Sequence, residues 1–501
     1  MSGSKKDLTE MNTRSLSMDS DAAELAKMGY KQEFSRHYGF LSTFSFALSI
    51  SGLMGTISIT YMYPLISGGP AAGVWCWFIG SIGCLCIAWS VAEITSCFPT
   101  SGDFGAATLL LQTISMHSDY SYIPSKGQTT AVAILIMLSH ALLNSLPGDI
   151  LSRVTKYYCI INIGTTIALI VTLLVKCPKI NTAEFTFTKV VNSTGWDSNE
   201  VSWVMTCYDA TSRISEEVKD AALYTPLAIA SALTTTAVLG WVLNVVITLT
   251  MGTDVTEIIN GVSGQPIVEI YLHAMGKTGA TAFLALAFLI IWFTGATATC
   301  YTSRSLWSFA RDRGLPFSDF WHHITPRTGV PTRCVWLVCV INCLLTLINL
   351  GSTIAMNAIF SACAICTDWS YILVIFCFAV NARKMGVAKG PFNLKKLSHP
   401  IMFASCVWTV FVSIVFVFPN YMPVTKENMN YTVVILAAVF FFSGGWYLLS
   451  ARKWYSGPVA NVVDSSDSTV EQAITQSETN TLEMSSESDT RKTKANSDDS
   501  A

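Results

Sequence analysis

Charge is scarce in this sequence. Asp, Glu, Lys and Arg make up 13% of 501 residues, against about 25% in an ordinary soluble domain. A soluble multidomain enzyme is thereby excluded. The net charge is −2, and no basic stripe stands free of the apolar runs, so nucleic acid is not an expected partner. Cysteine is sparse too. Fifteen residues, most of them inside apolar runs, do not make a secreted disulfide scaffold. No GxxxxGK[ST] loop, nucleophile elbow or His-metal cluster occurs, so neither an enzyme nor a nucleotide-driven pump is expected, and no cofactor or metal is implied. Cys363 and Cys366 form a CxxC. Without a second such pair or nearby His residues, they read as small packing residues in a span.

The charge that exists is gathered at the ends. Residues 1–36 hold six acids and six bases, and residues 459–501 hold nine acids and three bases. Between them lie 18 acids and 22 bases over some four hundred residues, a membrane composition. The polar opening is no signal-peptide core, and the apolar run that starts at Tyr38 is too long for one. The organisation expected is a cytoplasmic disordered tail over 1–38, a transmembrane domain over 39–455, and a Ser/Thr/acid-rich disordered tail over 456–501.

A helix needs about 20 apolar residues to cross about 30 Å of hydrocarbon. Ten stretches qualify: Gly39–Leu65, Ala72–Ala92, Thr129–Ser145, Tyr157–Val175, Leu227–Met251, Thr278–Tyr301, Cys334–Leu350, Ile354–Val380, Ile401–Phe418 and Tyr431–Leu449. Two more look like damaged spans. Asp103–Met116 is apolar over about 14 residues, or about 21 Å of helix, and Val201–Ala210 is shorter and carries Asp209. Loop charge orients the array. The loops containing Arg304, Arg311, Arg313, Arg327 and Arg333, and Arg383, Lys384, Lys389, Lys395 and Lys396, are expected inside with both termini. The loop with Asp254, Glu257 and Glu269 is expected outside. Two Asn-x-Thr sequons begin at Asn192 and Asn430. Asn192 is the glycosylation candidate, and Asn430 abuts a span.

The local motifs are more telling. The first span reads Phe44-Ser-Phe-Ala-Leu-Ser-Ile-Ser-Gly-Leu-Met. The second is entered through Gly68-Gly-Pro and ends Ala92-Glu-Ile-Thr-Ser-Cys-Phe-Pro-Thr-Ser-Gly102. Further on come Tyr208-Asp-Ala-Thr-Ser-Arg-Ile-Ser-Glu-Glu-Val-Lys-Asp-Ala, then Ser303-Arg-Ser-Leu-Trp-Ser-Phe-Ala-Arg-Asp-Arg-Gly-Leu-Pro-Phe-Ser318. Together, from about Tyr30 to Pro458, these stretches resemble the fungal amino acid, GABA and choline permeases of the amino acid–polyamine–organocation superfamily.

The resemblance implies an all-α polytopic fold: two inverted sets of five spans plus two trailing helices, with helices one and six broken at mid-membrane. Helix ends at such breaks hold a substrate carboxylate, and freed carbonyls hold a cation. Ser49, Ile50, Ser51 and Gly52 match the first break; Thr206, Cys207, Tyr208 and Asp209 match the second. The Ser/Gly cluster alone would also suit close helix packing. Glu216 and Glu217 fall where the resemblance implies gating; Glu93 falls where the family has an acid, and a gating or helix-end role and plain interfacial exposure both stay open there. Asp368 lies inside a span, where an acid is a functional candidate by default. It matches no acid of the family, so proton coupling and a polar packing contact both stay open. His140 is expected to pack rather than relay protons.

The function implied is secondary transport of an amino acid or small amine (GABA, choline or polyamine class) by proton symport. The partners implied are that small molecule, the coupling proton and the bilayer, and a plasma-membrane location is expected over a vacuolar one. The chain departs from the family after Gly102 and after Trp196. Most of span three and the first half of span six are missing there. A transport-impaired variant acting as a sensor or interaction protein is therefore the second expectation.

Overall fold

The computed structural model describes residues 40–95, 116, 125–196, 221–381, 392–419, 421–426 and 428–455. Every regular element among them is helical. In chain order these are α1 (Phe40–Ser51), α2 (Leu53–Thr60), α3 (Met62–Thr95), α4 (Lys126–Asn144), α5 (Gly148–Lys176), α6 (Ala183–Thr188), α7 (Ala221–Thr250), α8 (Val255–Ile259), α9 (Pro266–Arg311), α10 (Ser318–Trp321), α11 (Thr332–Gly351), α12 (Thr353–Asn381), α13 (Ser398–Val415) and α14 (Thr432–Leu449). Single 3-10 turns precede α13 (Lys395–Leu397) and follow α14 (Ala451–Lys453).

Nine described helical stretches are long and apolar enough to cross a bilayer, and Thr332–Ile348 is a shorter apolar helix. They coincide with the ten stretches expected from the sequence. The chain is an integral, multi-pass, all-α membrane protein. Residues 103–115 and 201–210, the two short remnants, lie outside the described residues.

Helices form where the apolar runs are, because lipid offers no other partner for backbone N–H and C=O groups. They bend where residues with unusual backbone freedom occur. Gly69 has φ 64° and is followed by Pro70, whose ring has no N–H to continue the ladder. A Cβ at Gly69 would lie 2.8 Å from the Val191 backbone nitrogen, so the segment after α6 rests directly on this bend. Gly276, φ 72°, bends α9 ten residues from its start. The span expected from Thr278 begins just past it.

The polar ends are closed by specific bonds. Ser125 and Gln128 form a reciprocal cap on α4. The Asn181 Nδ2 donates to the Thr248 and Gly252 carbonyls at 3.1 and 2.9 Å, supplying donors to the C-terminal end of α7. The Trp75 Nε1 donates to the Phe187 carbonyl at 3.1 Å. The Met422 N–H donates to the Thr194 carbonyl at 2.8 Å. The 177–196 stretch thus ties α3, α7 and the α13–α14 loop at one end of the bundle.

Four helix pairs set the interior. α3 packs along α7, and α1 packs on α5, α7 and α9. Small residues permit the close approaches, as is usual between spans: a Cβ at Gly240 would strike the Trp77 ring, and one at Gly83 the Trp408 ring.

Candidate functional site

The interior centres on one interruption. Helix α1 ends at Ser51 and α2 begins at Leu53, with Gly52 between them at φ 55°, ψ 22°. That left-handed conformation favours glycine, which has no Cβ to strain it. Space enforces the same choice, because a Cβ there would lie 2.7 Å from both the Thr294 and the Thr56 hydroxyl oxygens. The expected break of the first span is therefore present, at the residue expected.

A break inside a bilayer leaves carbonyls that need donors. Side chains from two other helices and from the segment itself supply them. The Thr294 hydroxyl (α9) donates to the Ser49 carbonyl at 2.7 Å. The Asn162 Nδ2 (α5) reaches the Leu48 carbonyl at 3.4 Å. Within the segment, the Ser51 hydroxyl donates to the Leu48 carbonyl at 2.8 Å, and the Thr56 hydroxyl donates to the Ser51 carbonyl at 2.9 Å. Hydroxyl pairs complete the shell: Ser49 with Thr297 at 2.7 Å, and Ser51 with Thr236 of α7 at 2.9 Å. Lower on α1, the Ser45 hydroxyl bonds the Thr155 carbonyl and accepts from the Cys159 N–H at 2.9 Å, inserting itself into the ladder of α5.

These side chains are all neutral, and most are buried: Ser49, Thr297 and Asn162 are exposed by 1%, 4% and 0%. Hydroxyls can donate or accept, so the shell can meet either end of a zwitterion. The first-turn N–H groups of α2 add the positive end of a helix beside Gly52.

The expected site residues divide into three groups. Ser49, Ser51 and Gly52 come together, with the backbone of Ile50 between them. Glu93 and Asp368 lie elsewhere. Glu93 is buried near the end of α3. Asp368 is buried on α12; α12 packs on α3, α11, α13 and α14. Thr206, Cys207, Tyr208, Asp209, Glu216 and Glu217 lie outside the described residues. His140 packs against Trp292 with ring centroids 5.4 Å apart, and Gly295 makes room for it.

Asn192 is half-buried, with its Nδ2 donating to the Trp196 carbonyl at 2.8 Å and its Oδ1 accepting from the Thr194 N–H and hydroxyl. Asn430 and Thr432 repeat that turn. Both sequons thus have a local structural use.

Sequence reasoning missed Asn162, Thr236, Thr294 and Thr297. Their signal was present as polar residues inside apolar runs, with Thr294 and Thr297 three apart and hence on one helix face.

Comparison with known proteins agrees with this architecture. The family described as amino acid permease matches residues 103–440. The chain is 42% identical to an uncharacterized amino-acid permease of Schizosaccharomyces pombe, over 88% of this chain and 90% of that one. It is 32% identical to amino-acid permease 2 of Neurospora crassa, over 91% and 92%, and 30% identical to the amino-acid permease BAT1 homolog of Oryza sativa subsp. japonica, over 89% and 96%. The first alignment runs over 485 positions, yet 88% of 501 residues is about 441, so about 44 positions are filled in the relative alone. The second runs over 501 positions against about 456 residues here, a difference of about 45. With a broken first helix, a multi-pass helical bundle and this match, the chain belongs to the amino acid permease family.

Proposed function

We propose that the interruption at Gly52 is half of a substrate seat for an amino acid or small amine, of the GABA, choline or polyamine class. Its carboxylate end meets the N-terminus of α2, and its amino end meets the hydroxyls and carbonyls contributed by Ser49, Ser51, Thr236, Thr294 and Thr297. Thr206–Asp209 form the facing half, and Tyr208 lines the cavity. The observation that carries this reading is a helix broken in the bundle interior with a neutral, multi-helix polar shell around the break. That is the arrangement in which irregular backbone is tolerated at membrane depth.

Transport in this reading is proton symport across the plasma membrane, with both termini cytoplasmic. Glu93, Glu216 and Glu217 act at the gates, and Asp368 serves coupling. The tails are solvated cytoplasmic segments. Glu93 lies on α3 and Asp368 on α12, so coupling through them acts by way of those helices.

A second reading is favoured by the roughly 44 positions that the relatives have and this chain lacks. If they fall after Gly102 and Trp196, the site loses part of a scaffold wall and half of its second broken helix, and the chain transports poorly. Uptake of radiolabelled GABA, choline and amino acids, in cells lacking their own permeases, tests both readings. The chain is compared with a version carrying both family segments. Uptake by the restored version alone supports the seat and the impairment together. Equal, substantial uptake by both discards the impairment, and uptake by neither discards the substrate class.

A further inference from the structure

The loop that joins α9 to α11 has features that transport does not use. Phe317 is the most exposed aromatic residue in it, at 83%, and it sits at φ 58°. Four residues earlier, Arg313 is also exposed and also at φ 58°. Bulky residues in the left-handed region carry strain, and strain that persists points to a use. Here it turns an aromatic ring out of the protein instead of in. Phe320 is 52% exposed on α10, and Phe309 is 47% exposed on the last turns of α9.

Basic groups surround these rings. Between 311 and 333 there are four Arg (311, 313, 327 and 333) against two Asp. One of the two acids, Asp312, is taken up by Arg311 at 3.3 Å. The Arg333 guanidinium lies 4.5 Å over the Phe320 ring and donates to the Phe320 carbonyl at 2.9 Å, so cation and ring are held as a unit. Arg313 and Arg327 are exposed.

A second loop repeats the combination. Lys395 is at φ 54°, Lys396 follows, and Leu397 is 60% exposed. Helices α11 and α12 are joined by Ser352 alone, so the start of α11 and the end of α12 fall at the same end of the bundle.

We propose that this surface is a binding site for anionic phospholipid. Phe317 and Phe320 enter the headgroup–acyl boundary, while Arg313, Arg327 and Arg333 hold headgroup phosphate and carboxylate. Charge complementarity and the exposed rings at a helix end argue for lipid over a soluble partner, because the same surface must sit beside a bilayer that already surrounds α9 and α11. Assignment to the cytoplasmic leaflet follows if the Arg-rich loops face inside; the binding itself does not depend on that, nor on whether the chain transports.

The test uses the full chain in nanodiscs of equimolar phosphatidylserine and phosphatidylcholine. A photoreactive p-benzoylphenylalanine replaces Phe317 or, as a mid-span reference, Phe440, which is 72% exposed on α14. Lipid adducts are identified by mass spectrometry. Position 317 is expected to give lipid adducts with a serine-to-choline headgroup ratio at least about threefold above that at position 440. Arg313→Gln combined with Arg327→Gln should bring the ratio down to near that at position 440, since each basic residue near an anionic surface counts separately. Equal ratios at the two positions, an unchanged ratio in the double variant, or no lipid adduct at 317 would overturn the proposal.

Discussion

Phe40–Thr60 and Thr432–Lys453 are both apolar enough to cross a bilayer, yet 71% of the apolar window in the first is buried inside the protein and 6% in the second. The first stretch carries a left-handed glycine, five Ser and three Thr within 21 residues. The Leu48, Ser49 and Ser51 carbonyls at its break each have a side-chain donor from this segment or another helix. The second is a plain hydrophobic helix whose Phe440, Phe441 and Phe442 are each more than 70% exposed. Burial inside a membrane protein therefore does not track how greasy a helix is. Lipid tails are as apolar as the side chains. The helices that are buried are those whose polar groups need partners, and this is where a polar solute can be held.

The comparison is broken most severely at Gly52. Gly52→Leu places a branched side chain in a left-handed backbone against Thr294 and Thr56, at a cost of about 2–5 kcal/mol. Thermal melting in detergent should fall sharply and ligand-induced stabilisation should vanish. Gly444→Leu on α14, where no atom lies within 4 Å of the added carbon, should melt like the parent.

The next largest effect separates stability from binding. Trp408 of α13 covers Gly83 of α3, far along the chain from the break. Trp408→Ala leaves a cavity worth about 3 kcal/mol. The melting temperature should drop while ligand affinity, measured on the folded fraction, stays within about twofold of the parent, a threshold of about 0.4 kcal/mol.

A smaller change sharpens the role of the donors. Asn162→Leu keeps the volume and removes the donor to the Leu48 carbonyl. It should cost about 1 kcal/mol in stability and weaken ligand affinity by about fivefold, read by the ligand concentration needed for half-maximal thermal shift. Phe440→Ala on the lipid-facing helix should change neither quantity by more than about 0.5 kcal/mol.

Much of this was legible in the sequence. Ten apolar runs became ten helices, because in lipid a run of that length has one way to satisfy its backbone. Gly52 was legible as a break because Ser49, Ser51 and Gly52 interrupt a run at its middle. The donors were not. Thr294 bonds Ser49 from 245 residues away, and no local pattern says which of the many Ser and Thr in spans face a break and which cap their own helix. Thr299, for instance, donates to the Gly295 carbonyl of the preceding turn, at 2.9 Å. The bends at Gly69 and Gly276 also exceed what apolar length reports, since both lie beside runs that look uninterrupted in hydropathy. The sequons carry two readings in the sequence: Asn-x-Thr suits a tight local turn as well as a modification site, and both copies here make that turn.

The central claim is that the Gly52 break seats the substrate. The most direct measurement is equilibrium binding of radiolabelled amino acids, GABA, choline and a polyamine to the purified chain, beside a variant carrying Ser49→Ala and Thr297→Val. That pair removes the 2.7 Å hydroxyl contact and leaves Gly52 and its backbone intact. The account predicts saturable binding of at least one ligand by the parent chain, weakened about tenfold or more in the variant, with both proteins melting within a few degrees of each other. Saturable binding of equal strength in the two proteins, or none by the parent, would contradict it.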